Sequence, residues 1–596
     1  MSVSFDSYVI VCGEVLSGPE AAMHVLQLRS DIRKFAMQNA YPTPRAGLEA
    51  PLPESRPLVS RTMGDLLLAG AEQWPTAHAL VHLDERISYA ELADRSWQIA
   101  RSLAALGIRP RQKIGVLMHN SPELVATLFG ISLLGAVVVP INARYRSSEI
   151  AFLTRDAELS AILTTARNVD YIDFVAVLQE AFPGLNQADD PTALRLSSAP
   201  ILRRVVLFGA DDRPGVLGQR QFNSWAERAD LKRLIRWCEG VAIRDVAAII
   251  YTSGTTANPR GAILTHEAFV RAWMMVGRRW GIRPDDRFWN PCPLFHIAGL
   301  GPLMFVIGHG ATFVTDSWFD PGRALRIIAR ERATLLYPTY PPITQALISH
   351  PDFANTDLGA VRVWLNVAPP DTLRQMAAAI PHAIHITTYG STEGGPVTMN
   401  SPSDSAEERL TTCGDPLPGN DLRVVDPQTR AELPPGTPGE IIYRGYNVFS
   451  GYYNDPDKTA ATIDADGWVL TGDVGTLDER GMLLFQGRIK DMLKIGGENV
   501  APSEVESYLS THPAVKLVQV VGIPDSRLIE VVAAFVELQA GATVGEAELI
   551  SFCRGRIASF KVPRFIRFVT EWPMSATKIQ RNKLREQLIQ ELQAAH

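Results

Sequence analysis

The sequence has little of what marks a specialised protein class. Its five cysteines (Cys12, Cys238, Cys292, Cys413 and Cys553) are scattered through 596 residues, with no CxxC pair and no histidine at ligand spacing. That excludes a disulfide scaffold and a zinc module, and it fits a reducing compartment such as the cytoplasm. No apolar run approaches the roughly 20 residues that a membrane-spanning helix needs. The N-terminus carries no basic segment, and residues 8–12 are too short for the core of a signal peptide. A soluble chain is expected. With 58 Lys and Arg against 64 Asp and Glu, the net charge of −6 gives no footing for nucleic acid or an anionic membrane surface. Internal repeats, low-complexity tracts and the GxxxxGK[ST] phosphate loop are all missing.

What is present centres on residues 251–266, YTSGTTANPRGAILTH. The β-prone run 246–251 leads into a hydroxyl-rich loop (Thr252, Ser253, Gly254, Thr255, Thr256), then Pro259, Arg260 and Gly261, and a second apolar run, 262–264. Backbone N–H groups, hydroxyls and one guanidinium within so few residues suit the oxygens of a polyphosphate. The loop is expected to run from strand to strand, with a helix starting near Glu267. Taken alone, such a loop is also an ordinary polar hairpin turn. What decides between these readings lies further along the chain.

A length of 596 residues implies several domains, and 46% apolar with 20% charged residues is the composition of a globular enzyme. In residues 1–55, Val25, Leu28, Ile32 and Phe35 share one face of a short helix in an N-terminal extension, and five prolines between 42 and 57 mark a linker. Thereafter helical patterns (63–74, 89–106, 122–134, 150–156) alternate with strands (113–118, 136–139). Such alternation predicts α/β architecture, with parallel sheets covered by helices. Residues 492–596 read as a separate α+β domain, with helices at 502–509 and 546–557 and strands at 515–521 and 531–536.

Six further elements carry chemistry. Residues 290–299, NPCPLFHIAG, place His296 on an apolar loop. Residues 361–370, VRVWLNVAPP, read as a strand entering a turn. Residues 389–393, YGSTE, set an aromatic ring, a glycine, two hydroxyls and a carboxylate at the end of an apolar run, where α/β sheets bind ligands. GWVLTGD (467–473) and GRIKD (487–491) add Asp473 and Arg488. The tail PMSATKIQRNKLR (573–585) adds Lys578, with Lys583 as a rival.

In content and order these elements resemble the adenylate-forming superfamily: acyl-CoA synthetases, luciferases and the adenylation domains of peptide synthetases. The resemblance covers roughly residues 58–588. The family's TSGTTGxPKG becomes TSGTTANPRG here, with Ala257 for Gly and Arg260 for Lys. Gly-Gly before Ala-Pro becomes Asn366 and Val367, and the Gly before the tail lysine is missing. The resemblance implies a large N-terminal body of helix-covered sheets in subdomains and a small mobile α+β C-terminal domain. The divisions it implies are 1–57, 58–487 and 488–596, with a hinge near Lys490.

The same resemblance assigns roles. Thr252, Ser253, Gly254, Thr255, Thr256 and Arg260 would hold the phosphates of ATP. Tyr389, with Gly390 beside it, would stack on adenine, Thr392 would contact phosphate, and Glu393 would hold Mg²⁺. Asp473 and Arg488 would bind the ribose, Gly496 and Gly497 would line a thiol channel, and Lys578 would be the catalytic lysine. His296 would line the reaction site, or simply pack. The activity implied is ATP-dependent ligation of a hydrophobic, fatty carboxylic acid to CoA through an acyl-adenylate. An aromatic or alicyclic acid, another acceptor, or a nucleotide-binding protein without catalysis are the competing readings, and assembly into a homo-oligomer stays open.

Overall fold

The structure, a computed structural model, describes residues 61–210, 213–252, 259–495, 498–525, 527–574 and 579–594, and the backbone of 8–11 and 14–17. The expected helix around residues 25–35 and the linker at 42–57 lie outside these residues. The short run at 8–12, read from sequence only as too small for a signal peptide, contributes one strand of a hairpin, Tyr8–Val11 with Glu14–Ser17.

The described residues build two seven-stranded sheets. In the first, the strands run Arg260–Thr265, Val246–Thr252, Val137–Pro140, Lys113–Leu117, Ala161–Thr165, Arg204–Phe208 and Leu217–Gly218. In the second they run Ile384–Ile386, Val363–Asn366, Leu335–Thr339, Arg287–Trp289, Thr312–Thr315, His78–His82 and Glu85–Ser88. Pairing is parallel except at one edge of each sheet, where Arg260–Thr265 and Glu85–Ser88 run antiparallel to their neighbours. This is the helix-covered α/β body that the alternating pattern predicts.

The helices begin where their capping residues place them. Thr62 and Asp65 form a capping box at Met63–Gln73, Ser88 and Glu91 another at Tyr89–Ala105, and Ser121 caps Pro122–Leu133 with proline in the first turn. Helices Pro122–Leu133 and Ile297–His309 are apolar on nearly every side, and their buried residues join both large sheets into one hydrophobic cluster. The two sheets thus share a core, and the C-terminal ends of their strands carry the loops of interest.

Periodicity did not reveal the four-stranded antiparallel sheet Asn420–Val425, Gly439–Gly445, Val469–Leu477 and Leu483–Arg488. Its strands are half exposed and broken by glycines, so the apolar signal is weak. Beyond it, a five-stranded sheet is flanked by helices Pro502–Ser510, Glu546–Cys553 and Arg581–Ala594. The helix expected over 546–557 stops at Cys553. The helix expected near Glu267 starts as a π turn, Glu267–Arg271, and continues as Ala272–Trp280.

Candidate active site

Strand Val246–Thr252 pairs antiparallel with Arg260–Thr265, so the hydroxyl-rich loop is the connection of a hairpin, as the sequence suggests. Ser253, Gly254, Thr255 and Thr256 lie outside the described residues; Thr252 and Arg260 close the hairpin, opposite one another. The Tyr251 hydroxyl donates to Asp156 at 2.5 Å, tying the base of the hairpin to helix Ser147–Asp156.

Residues 451–455 lie along the outer edge of this hairpin. Ile263 N–H donates to the Gly451 carbonyl at 3.0 Å and Tyr453 N–H to the Gly261 carbonyl at 2.8 Å. Two side chains are aimed by this attachment. Asp455 accepts from Arg260 Nε at 3.0 Å, and the Tyr452 hydroxyl donates to Glu393 Oε1 at 2.8 Å. Burial, reinforced by the Glu393 charge, raises the Tyr452 phenol well above its usual range, so it stays a donor.

Glu393 lies in the turn of the hairpin that pairs Thr388–Ser391 with Gly395–Met399, and its carbonyl accepts from Phe449 N–H at 2.8 Å. Gly390 is required there: a Cβ would sit 2.2 Å from the Gly395 carbonyl oxygen. Thr392 is buried and Glu393 half-buried. Among the described residues no group of three or more His, Cys, Asp or Glu could hold a metal by itself. A single accessible carboxylate fits Mg²⁺ when the other ligands are substrate phosphates and water.

Asp473 and Arg488 face each other across antiparallel strands, with Arg488 Nε 3.2 Å from Asp473 Oδ1. Asp473 also accepts from the Tyr389 hydroxyl at 2.8 Å. The Tyr389 ring is buried, stacked on Phe485 at 5.8 Å between centroids, and burial together with Asp473 raises its phenol pKa. The structure thus joins YGSTE, TGD and GRIKD, elements separated by up to a hundred residues, in one hydrogen-bonded group.

His296 caps helix Ile297–His309, its Nδ1 accepting from Ala298 N–H at 3.2 Å, and the Tyr340 hydroxyl lies 3.4 Å from the same nitrogen. Gly299 allows the loop to fold tightly, since a Cβ would meet the Pro293 carbonyl at 2.1 Å. Asn120 holds the loop from the neighbouring sheet: its Nδ2 donates to the Cys292 carbonyl at 3.0 Å and its Oδ1 accepts from Leu294 N–H at 2.8 Å. Cys292 is fully buried, and its thiol is pushed up to about 12. Asn366 and Val367 sit at the end of the adjacent strand, where Val367 N–H donates to the Thr339 carbonyl at 3.0 Å.

Of the remaining expected residues, Gly496, Gly497 and Lys578 lie outside the described ones. Lys583 is exposed on the last helix. Burial and the nearby Arg488 charge lower the pKa of Lys490. The C-terminal sheet and helices touch the main body through Ser507 Oγ, which donates to Asp371 at 3.0 Å, Gln375 Nε2, which donates to the Ser510 carbonyl at 3.1 Å, and Ser503 Oγ, which donates to the Gln486 carbonyl at 2.5 Å.

Sequence reasoning missed Tyr452, Asp455 and Asn120. GYYNDPDKT offered only a turn signal, Asn-Asp-Pro, and no local pattern tells that this turn reaches both Arg260 and Glu393. Asn120 was visible only as a polar residue before a helix cap.

Residues 67–453 match the family model described as AMP-binding enzyme, and residues 504–578 match the AMP-binding enzyme C-terminal domain. Medium-chain acyl-CoA ligase ACSF2, mitochondrial, from Rattus norvegicus is 34% identical over 549 residues, 90% of this chain and 89% of that protein. The anthranilate CoA ligase AuaEII in complex with anthranoyl-AMP superposes with a TM-score of 0.77 at 28% identity, covering 90% of this chain and 98% of its own. The Mycobacterium tuberculosis fatty acyl CoA synthetase does so with a TM-score of 0.63 at 27% identity, covering 89% and 99%. The chain therefore belongs to the AMP-binding enzyme family, in its acyl-CoA synthetase branch.

Proposed function

We propose that this AMP-forming acyl-CoA synthetase activates a hydrophobic, fatty carboxylic acid, and that the residues brought together above are its working parts. The observation that carries the assignment of the site is residues 451–455, which hook Arg260 at one end and Glu393 at the other. A guanidinium at the mouth of a hydroxyl-rich hairpin and a carboxylate aimed by a phenol are what a magnesium triphosphate requires.

The acid's carboxylate oxygen attacks the α-phosphorus of ATP, the bond to the bridging oxygen breaks, and pyrophosphate leaves with an acyl-adenylate formed. The substrate supplies the nucleophile, so the protein's task is positioning and charge neutralisation. Thr252, Ser253, Gly254, Thr255, Thr256 and Arg260 hold the phosphates, and Lys578 neutralises charge at the α-phosphate. Tyr389, Gly390 and Thr392 frame the nucleotide, while Asp473 and Arg488 take the ribose hydroxyls. Glu393 would hold Mg²⁺, which supplies further charge neutralisation on the phosphates. In the second step the CoA thiol attacks the acyl carbon and AMP leaves. In our reading residues 488–596 move about Lys490 between the steps, withdrawing Lys578 and bringing Gly496 and Gly497 to the thiol path. His296 lines the acyl side of the site. A cytoplasmic location belongs to the same reading and rests on sequence alone; the rat relative is mitochondrial by name.

The test is acid-dependent pyrophosphate release from ATP and Mg²⁺ across fatty, aromatic and alicyclic acids, with and without CoA. A fatty acyl-CoA product supports the reading. A preference for ring-bearing acids would replace the substrate, and adenylate without thioester would replace the acceptor.

A further inference from the structure

Two buried asparagines clamp the hairpin that carries Glu393, and both spend amide N–H groups on it. Asn447 Nδ2 donates to the Gly394 carbonyl at 2.7 Å, and Asn420 Nδ2 donates to the Val397 carbonyl at 3.3 Å. These donations fix which end of each amide is the oxygen. Asn447 is 1% exposed and Asn420 9%. Among the described residues neither Oδ1 has a hydrogen-bond partner, and both are closed to solvent. A buried acceptor without a donor is costly, and folded proteins satisfy nearly all of them.

Both oxygens face the same place. Asn420 opens strand Asn420–Val425 opposite Gly445, the last residue of strand Gly439–Gly445. A Cβ on Gly445 would lie 2.6 Å from Asn420 Oδ1, 3.0 Å from Asn447 Oδ1 and 2.8 Å from the Gly419 carbonyl oxygen. Three oxygens thus converge over a position that glycine leaves open. None is a carboxylate, so the set does not suit a hard divalent ion, which charged oxygens draw. Neutral carbonyl oxygens are the ligands that replace the water shell of a potassium ion. A water molecule would bring two protons to three oxygens, whereas a monovalent cation meets all three at once. The nearby Arg271 guanidinium is engaged elsewhere, by Glu267 at 3.2 Å and over the Tyr446 ring at 4.0 Å.

We propose that Asn420, Asn447 and the Gly419 carbonyl bind a monovalent cation, potassium or its like, and that this ion stiffens the turn holding Glu393. The route is short. The ion fixes the Asn447 amide, that amide holds the Gly394 carbonyl, and Gly394 directly follows Glu393. From the same loop, Phe449 N–H holds the Glu393 carbonyl at 2.8 Å. The consequence for Mg²⁺ rests on the ligase reading above, in which Glu393 holds that ion. Two sites coupled in this way tighten each other by the same factor.

The experiment uses full-length protein, with potassium chloride exchanged for choline chloride at constant ionic strength. Potassium is expected to raise Tm and to lower the Mg²⁺ concentration for half-maximal pyrophosphate–ATP exchange by about fivefold or more. Rubidium diffused into crystals, as a heavier stand-in, should give an anomalous peak between Asn420 and Asn447. Gly445→Ala puts a methyl group among the oxygens, and Asn420→Ala removes one of them. Either should abolish the difference between the two salts, and the salt comparison itself needs no variant to fold. Equal Tm and equal Mg²⁺ requirement in both salts, with no rubidium peak, would overturn the site and leave water there. A rubidium peak with an unchanged Mg²⁺ requirement would overturn the link to Glu393. Exchange missing in both salts with every acid, while rubidium binds, would instead overturn the ligase reading.

Discussion

Arg260 Nε lies 3.0 Å from an Asp455 carboxylate oxygen, so the guanidinium that closes the hairpin opposite Thr252 is already steered by an acid. Both side chains are partly exposed, 25% and 34%, which leaves room for an anion to compete for the same guanidinium. Asp455 is itself held as the cap of helix Pro456–Ala460, accepting from Lys458 N–H at 3.0 Å. Arg260→Ala is expected to lower kcat/KM for ATP in pyrophosphate exchange by roughly tenfold to a hundredfold, the worth of a charge-assisted hydrogen bond. Arg260→Lys keeps the charge but not the fork and should lose less. ATP kinetics unchanged in Arg260→Ala would remove this residue from the phosphate site.

Tyr452 serves Glu393 in the same way, by a 2.8 Å hydrogen bond from a phenol held neutral by burial. Tyr452→Phe removes the donor and keeps the ring, whose edge packs on Phe449 at 4.9 Å between centroids. The expected outcome is a rise of roughly three- to tenfold in the Mg²⁺ concentration needed for half-maximal exchange, since a hydrogen bond to a charged group contributes about 1.5–3 kcal/mol and Glu393 keeps its own charge. Titration of Mg²⁺ at saturating ATP checks it. A unchanged Mg²⁺ requirement with a lowered Tm would make Tyr452 a packing residue only.

The body of the fold was legible because its helices announce themselves. Thr62, Ser88 and Ser121 cap where the periodic patterns begin, and the strand Lys113–Leu117 is buried along nearly its whole length and so reads as a continuous apolar run. Candidate site residues are legible where one short segment contains its own chemistry, as in YGSTE. They escape where the candidate site is a meeting of distant segments. Tyr452 reaches Glu393 across 59 residues and Asn120 reaches Leu294 across 174, and neither spacing leaves a periodic trace. The four-stranded sheet that presents Asp473 to Arg488 escaped for a related reason: a half-exposed antiparallel strand carries few apolar positions.

His266, at the end of the second hairpin strand, gives the stability of the body a pH dependence. Its ring is almost fully buried, Nδ1 accepts from Met63 N–H at 3.2 Å, and burial lowers its pKa from 6.5 to about 4, against the smaller opposing effect of Asp65 and Asp245. The folded protein therefore holds this imidazole neutral where the unfolded chain would protonate it. Between pH 6.5 and 4 the unfolded state binds more protons, so stability falls as pH falls through that window and is unaffected above it. The full effect approaches about 3 kcal/mol. Thermal melts from pH 7 to 4.5 should fall more steeply for the native protein than for His266→Gln, which has no proton to gain. Parallel curves would show that other groups govern the acid limb.

Asn366 and Val367, though adjacent in the chain, have different surroundings and so should have separable effects. Asn366 is buried at the end of strand Val363–Asn366, and its Oδ1 accepts the Thr344 hydroxyl hydrogen. Val367 is 39% exposed, and its backbone is tied to Thr339, a β-branched residue held at φ +62°, in the sparsely populated left-handed region. Removing the Asn366 side chain takes away a buried acceptor and opens a void, so Asn366→Gly is expected to cost about 1–3 kcal/mol of stability, read as a lowered Tm. Val367→Gly costs little stability and opens space just beyond the end of strand Val363–Asn366. If that space belongs to the acyl group, the kcat/KM ratio of a ring-bearing acid to a straight-chain acid should rise roughly tenfold, the discrimination a hydrophobic pocket gains from about one or two methylenes. An unchanged ratio in Val367→Gly, at native Tm, would place the acyl group elsewhere and leave Val367 as part of the surface.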